Sequence, residues 1–254
     1  MATVSQGAIL KSPQELELMR QAGRYLWEIL QVLQAAVRPD STTGDLDALA
    51  AKEMKLRGVQ ASFLGYHGYP AHICASVNDE IVHGIPGKRV LKEGDIIGID
   101  CGVIYKGWQA DSAVTVGVGA IGEEAQRLID VTRDSLAAGI GAARGGARLS
   151  DISHAIQQAI EAHGFSVVRE YVGHGIGRAM HEEPQIPNFG PPGRGPVLRP
   201  GMAIALEPMV NMGEWKTRVA PDHWTVLTVD GKWSAHFEHT LAITDGEAEV
   251  LTRP

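Results

Sequence analysis

The stretch Leu91-Lys-Glu-Gly-Asp-Ile-Ile-Gly-Ile-Asp100 returns 107 positions later as Leu198-Arg-Pro-Gly-Met-Ala-Ile-Ala-Leu-Glu207. Each copy is a glycine turn, then an apolar run of strand type, then a carboxylate. Working outward, the match continues on both sides. Asp45 through Gly58 matches Asp151 through Gly164 at an offset of 106, and Asp111-Ser-Ala-Val-Thr-Val116 lines up with Glu238-His-Thr-Leu-Ala-Ile243. His-Gly-Ile occurs once per half, at His83 and His174. The chain therefore reads as two related halves, about 12–118 and 121–245, inside a single domain spanning 1–254.

Local signals fill in the elements. Ser12-Pro13-Gln14-Glu15 carries a cap, a proline suited to the first helical position and a glutamate that can close a capping box. Leu16, Met19, Leu26, Leu30, Leu33 and Val37 then recur at helical spacing, and Pro39 stands just past the end. A second helix is expected from Asp45 to Leu56, stopped by Gly58. Helical patterning returns at 121–143 and 150–163. Strands are expected at 96–99, 114–116, 203–206 and 240–244. The Pro/Gly-rich stretch Gly190–Gly201 reads as an inserted loop, because the motifs on its two sides belong together.

Composition narrows the function classes. The chain has 254 residues, 44% hydrophobic and 21% charged, with a formal net charge of -7. That is ordinary globular composition with enough length for a sizeable core. No run of Lys or Arg marks a nucleic-acid groove, and no stretch approaches the ~18 apolar residues of a membrane span. Cys74 and Cys101 form no CxxC pair, which fits two reduced thiols. The N-terminus lacks a basic segment followed by an apolar one. A soluble protein of the cytoplasm is expected.

The chemistry concentrates in acids at strand positions. Asp100, Asp111, Glu207 and Glu238 all lie in or beside apolar β-type runs. An unpaired buried carboxylate is costly, so such acids are paired, protonated or metal-bound. If the halves are related by a pseudo-twofold axis, the four acids converge there, and two divalent cations balance their charge. His174, flanked by glycines on what reads as a close-approach turn, supplies a nitrogen ligand. One imidazole among carboxylates suits Mn, Fe(II), Co or Zn better than copper. Two such ions would sit about 3.5–4 Å apart and lower the pKa of a shared water from about 15.7 towards ~7. Taken singly, Asp111 reads more readily as a turn cap, Glu238 as half of an ion pair, and His174 as a satisfied polar residue. The hypothesis belongs to the set. The glycines of 173–177 lack the lysine and spacing of a phosphate loop and are read as room around His174.

These residues sit in longer motifs. They are Gly65-Tyr-His-Gly-Tyr-Pro70, Cys74-Ala-Ser-Val-Asn78, Val82-His-Gly-Ile-Pro86, Gly94-Asp-Ile-Ile-Gly-Ile-Asp100, Gly107-Trp-Gln-Ala-Asp111, Gly173-His-Gly-Ile-Gly-Arg178, His181-Glu-Glu-Pro184, Ala205-Leu-Glu-Pro-Met209 and Phe237-Glu-His-Thr240. In order and spacing, from about residue 10 to 250, the sequence resembles the bacterial type I methionine aminopeptidases. The resemblance implies an α+β pita-bread (creatinase/aminopeptidase-like) fold, with pseudo-twofold halves and a central antiparallel sheet covered by helices. It implies a dinuclear exopeptidase that removes the N-terminal methionine of nascent polypeptides when the second residue is small; Met1-Ala2 of this chain would itself qualify. The metal ligands carry over as Asp100, Asp111, His174, Glu207 and Glu238. Asp111 and Glu238 would bridge the two ions, His174 and Glu207 would complete one, and Asp100 would grip the other. His83 and His181 would contact substrate and the tetrahedral intermediate, with Glu207 as proton shuttle. Phe63, Tyr66, Tyr69, Cys74, His83, Met180, His181 and Trp224 would line the methionine pocket. Phe63 stands where the family often has a smaller residue and Met180 where it often has Phe, which puts fine specificity in question; alone, both would read as core. The resemblance adds a monovalent-cation site on backbone oxygens of Asn78, Glu80 and Ser234. It leaves room for a transient ribosome contact, without the Cys/His-rich N-terminal extension that tethers some relatives. A monomer is expected.

Two other readings compete. Proline-specific peptidases share the fold but usually carry a large extra N-terminal domain, and only a short stretch precedes Ser12 here. Non-catalytic binding proteins on the scaffold lose metal ligands, and this chain keeps four acids, His174, His83 and His181.

Overall fold

The computed structural model describes residues 3–5 and 7–254. Met1-Ala2, read above as a sequence of the kind the family trims, lies outside the described residues. Helix α1 spans Pro13–Ala36 and starts on a full capping box: Ser12 Oγ accepts from the Glu15 N–H at 3.3 Å, and the Glu15 carboxylate accepts from the Ser12 N–H at 2.8 Å. Helix α2 spans Thr43–Arg57; Thr42 and Asp45 close the same box, and Gly58 ends the helix in the left-handed conformation at φ 66°. In the second half α3 spans Glu123–Ala142 and α4 spans Leu149–Glu161. Asp151 repeats the role of Asp45, accepting from the Arg148 N–H at 2.8 Å.

A nine-stranded antiparallel sheet runs through both halves. Its centre is the pair Ile96–Tyr105 and Trp108–Gly117, in register from Ile96↔Gly117 to Tyr105↔Trp108. Lys106 and Gly107 turn the hairpin with φ 49° and 79°, the double positive φ of a two-residue type I′ connection. Only 96–99 and 114–116 read as strands in the sequence. The remainder was hidden because Gly98, Asp100 and Gly102 interrupt the apolar pattern. Gly102 is there for packing: a Cβ would stand 2.8 Å from Ser62 Cβ and 2.9 Å from Phe63 Cε1.

On the far side of this hairpin the strand order continues through Glu238–Ala242, Ala203–Leu206, Gly173–Gly175 and Glu182–Ile186. The hairpin of the first half and the strands of the second thus meet where Trp108–Gly117 pairs with Glu238–Ala242. Each half has its own core. Leu26, Leu33, Leu46, Ile97, Ile99 and Val103 pack together in the first; Leu128, Ile152, Ile156, Ile204, Leu206 and Leu241 pack in the second. Each such side chain contributes roughly 1.5–3 kcal/mol through burial. A third cluster at the junction holds Phe63, Tyr69, Cys74, Trp108 and Met180. No helix among the described residues is long and apolar enough to cross a membrane.

Candidate metal centre and substrate pocket

Strand pairing places the acids in register. Ala113 has Asp100 as its partner on one side and Glu238 on the other. Directly opposed residues share a face, and so do residues two apart on one strand. Asp111 therefore joins Asp100 and Glu238 on one face. A second row, His174↔Ala205↔Thr240, lies beside the first on the same face, and Glu207 follows two residues after Ala205. All five expected ligands converge. Asp111, His174 and Glu238 present ligand atoms within 4.8 Å of one another. Asp100 and Glu207 line the same cavity, about 350 Å³ in volume.

The segment read as a Gly-His-Gly turn is a strand, Gly173–Gly175. Its glycines are required by crowding: a Cβ on Gly173 would meet the Ala205 carbonyl oxygen, and one on Gly175 the Glu183 carbonyl oxygen. Thr240 closes the seam between halves. Its Oγ1 accepts from the Asp111 N–H at 2.9 Å and donates to the Asp111 carbonyl at 2.8 Å.

The electrostatics are those of a cation cradle. Burial pushes the Asp100 carboxyl up to about 7, against a proton-sharing contact with Asp111 and a Cys101 N–H that pull it down. Burial, then Glu238, then Asp100 hold Asp111 well above the carboxylate range. Burial, then Asp111 and Asp100 raise Glu207; burial, then Glu207 and Asp100 raise Glu238. Asp100 Oδ1 and Glu238 Oε1 are buried without a hydrogen-bond partner among the described residues. Unpaired buried oxygens on crowded acids are what divalent cations satisfy. His174 is prepared in the same sense. Burial lowers its pKa to about 4, so it is neutral. Its Nδ1 lies 2.9 Å from the Gly175 carbonyl oxygen, which fixes the proton there and leaves the Nε2 lone pair 3.5 Å from Glu207 Oε1. The residues fit a metal centre.

The same cavity is lined by Phe63, Tyr66, Tyr69, Cys74, Met180 and Trp224, together with His83 and His181. Tyr69 packs edge-on to Trp224 at 5.1 Å and donates its hydroxyl to the carbonyls of Ile73 and Gly84 at 3.1 and 3.0 Å. Asp222 holds Trp224 by accepting from its N–H at 2.9 Å. Tyr66 Oη and His181 Nδ1 are 2.7 Å apart, and the His181 ring lies 4.3 Å from that of His174. His83 occupies φ 61°, uncommon for a residue with a Cβ. The Gly84 N–H, donating to Ser76 Oγ at 3.1 Å, pins that turn. Burial lowers His83 to about 4, with His181 adding to the shift. Every residue expected in the metal site or pocket lines this one cavity. His67 also lines it and was not expected, although it lies in the quoted motif beside Tyr66, ring to ring at 4.4 Å. The backbone of Asn78 touches that of Ser234, which donates to the Asn78 carbonyl at 2.8 Å. Glu80 begins its own short strand, Glu80–Val82.

The profile of metallopeptidase family M24 matches residues 17–245. The chain belongs to that family. Among M24 proteins it is 52% identical over 244 residues to the methionine aminopeptidase of Clostridium perfringens, covering 96% of this chain and 98% of the relative. It is likewise 52% identical to methionine aminopeptidase 1 of Bacillus subtilis, over 96% and 99% of the two chains. The crystal structure of methionine aminopeptidase from Thermotoga maritima superimposes with a TM-score of 0.96 at 46% identity, covering 97% of this chain and all of that one. The pita-bread M24 fold expected from the motifs is the fold observed.

Proposed function

We propose that this M24 peptidase removes the N-terminal methionine from nascent polypeptides, with two divalent ions in one site and a preference for a small second residue. The observation that carries the reading is the placement of five ligand-type side chains on one sheet face against an aromatic and sulfur-lined pocket. Asp111 and Glu238, one from each half, would bridge the ions; His174 and Glu207 would complete one and Asp100 the other. Mn, Fe(II), Co and Zn all suit this donor set. When bound, the ions supply Lewis acidity and lower the pKa of water to ~7.

The chain's own groups do the rest. Tyr69, Trp224, Phe63, Tyr66, Cys74 and Met180 receive the methionine side chain, whose thioether is favourable against aromatic edges. His181, with Nδ1 held by Tyr66, presents Nε2 towards the carbonyl oxygen that gains charge. His83, lining the same cavity, hydrogen-bonds the substrate. Glu207, whose Oε1 lies 3.5 Å from His174 Nε2, takes a proton and delivers it to the leaving amine. We also read the 254 residues as one catalytic domain, acting as a monomer in the cytoplasm, with a monovalent cation on the backbone at Asn78, Glu80 and Ser234 and a transient ribosome contact. Partial support for the cation is the Asn78–Ser234 backbone contact.

The test is peptide cleavage by chelator-stripped protein with each of the four metals added back. Met-Ala-Ser should be cleaved at the first bond, and Met-Leu-Ser far more slowly. Faster release from an Xaa-Pro peptide, or no methionine release with any metal, overturns the reading. Calorimetric titration should give two metals per chain.

A further inference from the structure

Lys11 and Glu182 form a buried ion pair, neither member of which lines the cavity of the metal centre. Their Nζ and Oε2 are 2.6 Å apart, and their side chains are only 2% and 6% exposed. The two residues are 171 positions apart. Lys11 is held on its own side: its Nζ also donates to the Ile9 carbonyl at 2.9 Å, and its N–H to the Gly201 carbonyl at 2.7 Å. Glu182 uses its other oxygen on the turn before it. Oε1 accepts from the Arg178 N–H at 2.9 Å and the Ala179 N–H at 3.3 Å.

That turn carries Met180 and His181 into the cavity. It is fixed from three directions. The Gly177 carbonyl accepts from the Gln109 N–H at 2.8 Å, the Arg178 guanidinium lies over the Trp108 ring at 4.5 Å, and the Glu182 carboxylate ties its backbone. Gly177 leaves no slack, since a Cβ there would stand 2.5 Å from Glu182 Oε1 and 2.6 Å from Lys11 Cε. A solvated glutamate could swing between rotamers. This one cannot leave its lysine, because an unpaired charge in that space is expensive.

We propose that Lys11 and Glu182 are positioning residues for the reaction: the buried pair clamps the Arg178–His181 turn so that Met180 and His181 keep their places in the site. The role of the pair within catalysis rests on the peptidase reading above. The clamp itself does not, and the test separates the two.

The decisive protein is K11M/E182Q, which removes both charges and leaves no lone buried ion, whereas Glu182→Gln alone would strand the Lys11 charge. Hydrogen–deuterium exchange of metal-loaded protein reads the turn directly. Exchange at 178–181 should be at least tenfold faster in K11M/E182Q than in wild type, with the Ile96–Tyr105 strand unchanged and metal content equal. In the same preparation kcat on Met-Ala-Ser should fall about tenfold or more, with KM changed less than threefold. Unchanged exchange at 178–181, or kcat within twofold of wild type per folded, metal-loaded molecule, overturns the proposal. If wild type itself releases no methionine, the activity reading fails while the exchange result still decides the clamp.

Discussion

The two halves solve one problem with different parts. The first offers short acids, Asp100 and Asp111, from a continuous hairpin of two ten-residue strands. The second offers longer ones, Glu207 and Glu238, from strands of four and five residues. The imidazole of the proposed donor set, His174, also comes from the second half, on the Gly173–Gly175 strand, whose glycines admit neighbouring carbonyls. A duplicated scaffold thus carries an unequal donor set, and the seam at Ala113 and Thr240 joins the two contributions.

If Asp111 and Glu238 are equivalent across that seam, neutralising either should do comparable damage. Asp111→Asn and Glu238→Gln should each lower kcat/KM on a methionyl peptide by more than about 100-fold, beyond the 10–100-fold cost of losing an outer partner of a metal ligand. Steady-state rates with metal titration would check this. A tolerated change on one side only would break the symmetry.

Metal removal should expose the acids of both halves together. Asp100 titrates near 7 in the folded chain against about 4 unfolded, and Asp111, Glu207 and Glu238 shift the same way. A raised acid stabilises the metal-free fold fully below its unfolded pKa, and that stability is lost as pH rises towards the folded value. His83 acts oppositely: lowered to about 4, it costs stability as pH falls from about 6.5. Metal binding must displace the carboxyl protons. The gap in melting temperature between metal-loaded and stripped protein should therefore widen from pH 5 to pH 8, and adding Mn²⁺ at pH 6 should release protons measurable in weak buffer. A gap that narrows with pH would contradict the crowded-acid account.

The seam can be weakened without touching a ligand. Thr240→Val keeps the shape of the side chain but leaves the Asp111 N–H and carbonyl without their bridge. Metal affinity should fall about 10–100-fold, read by competition with a chelator, while the first-half core is unaffected.

Much of this arrangement was legible in the sequence. The repeat placed Asp100 against Glu207 and Asp111 against Glu238, and charge balance called for cations before any resemblance was invoked. The capping signal at Ser12 marks a real helix start, and the second helix begins two residues before the expected Asp45. What stayed hidden depends on long-range packing. The hairpin looked short partly because Gly102 answers to Ser62 and Phe63 across the sheet, not to strand propensity. Gly173-His-Gly175 looked like a turn because crowding by Ala205 and Glu183 leaves no local trace. His67 was overlooked because an exposed histidine between Tyr66 and Gly68 has no sequence signal beyond the motif containing it.

The smallest test of the comparison concerns the matching helices α2 and α4. Both begin with an aspartate that accepts from the N-cap backbone, but only α2 has a side-chain cap in return, Thr42 Oγ1 accepting from the Asp45 N–H at 3.1 Å. Arg148 at the equivalent place offers none; its guanidinium instead donates to the Gly195 carbonyl at 3.0 Å in an exposed setting. Thr42→Ala should therefore cost about 1 kcal/mol, and Arg148→Ala less than about 0.5 kcal/mol. Urea midpoints at fixed excess metal would show the difference, and neither change should alter kcat. Equal losses would mean that α4 draws on the Arg148 contact to the inserted loop as heavily as α2 draws on its cap, making that loop part of the second half's framework.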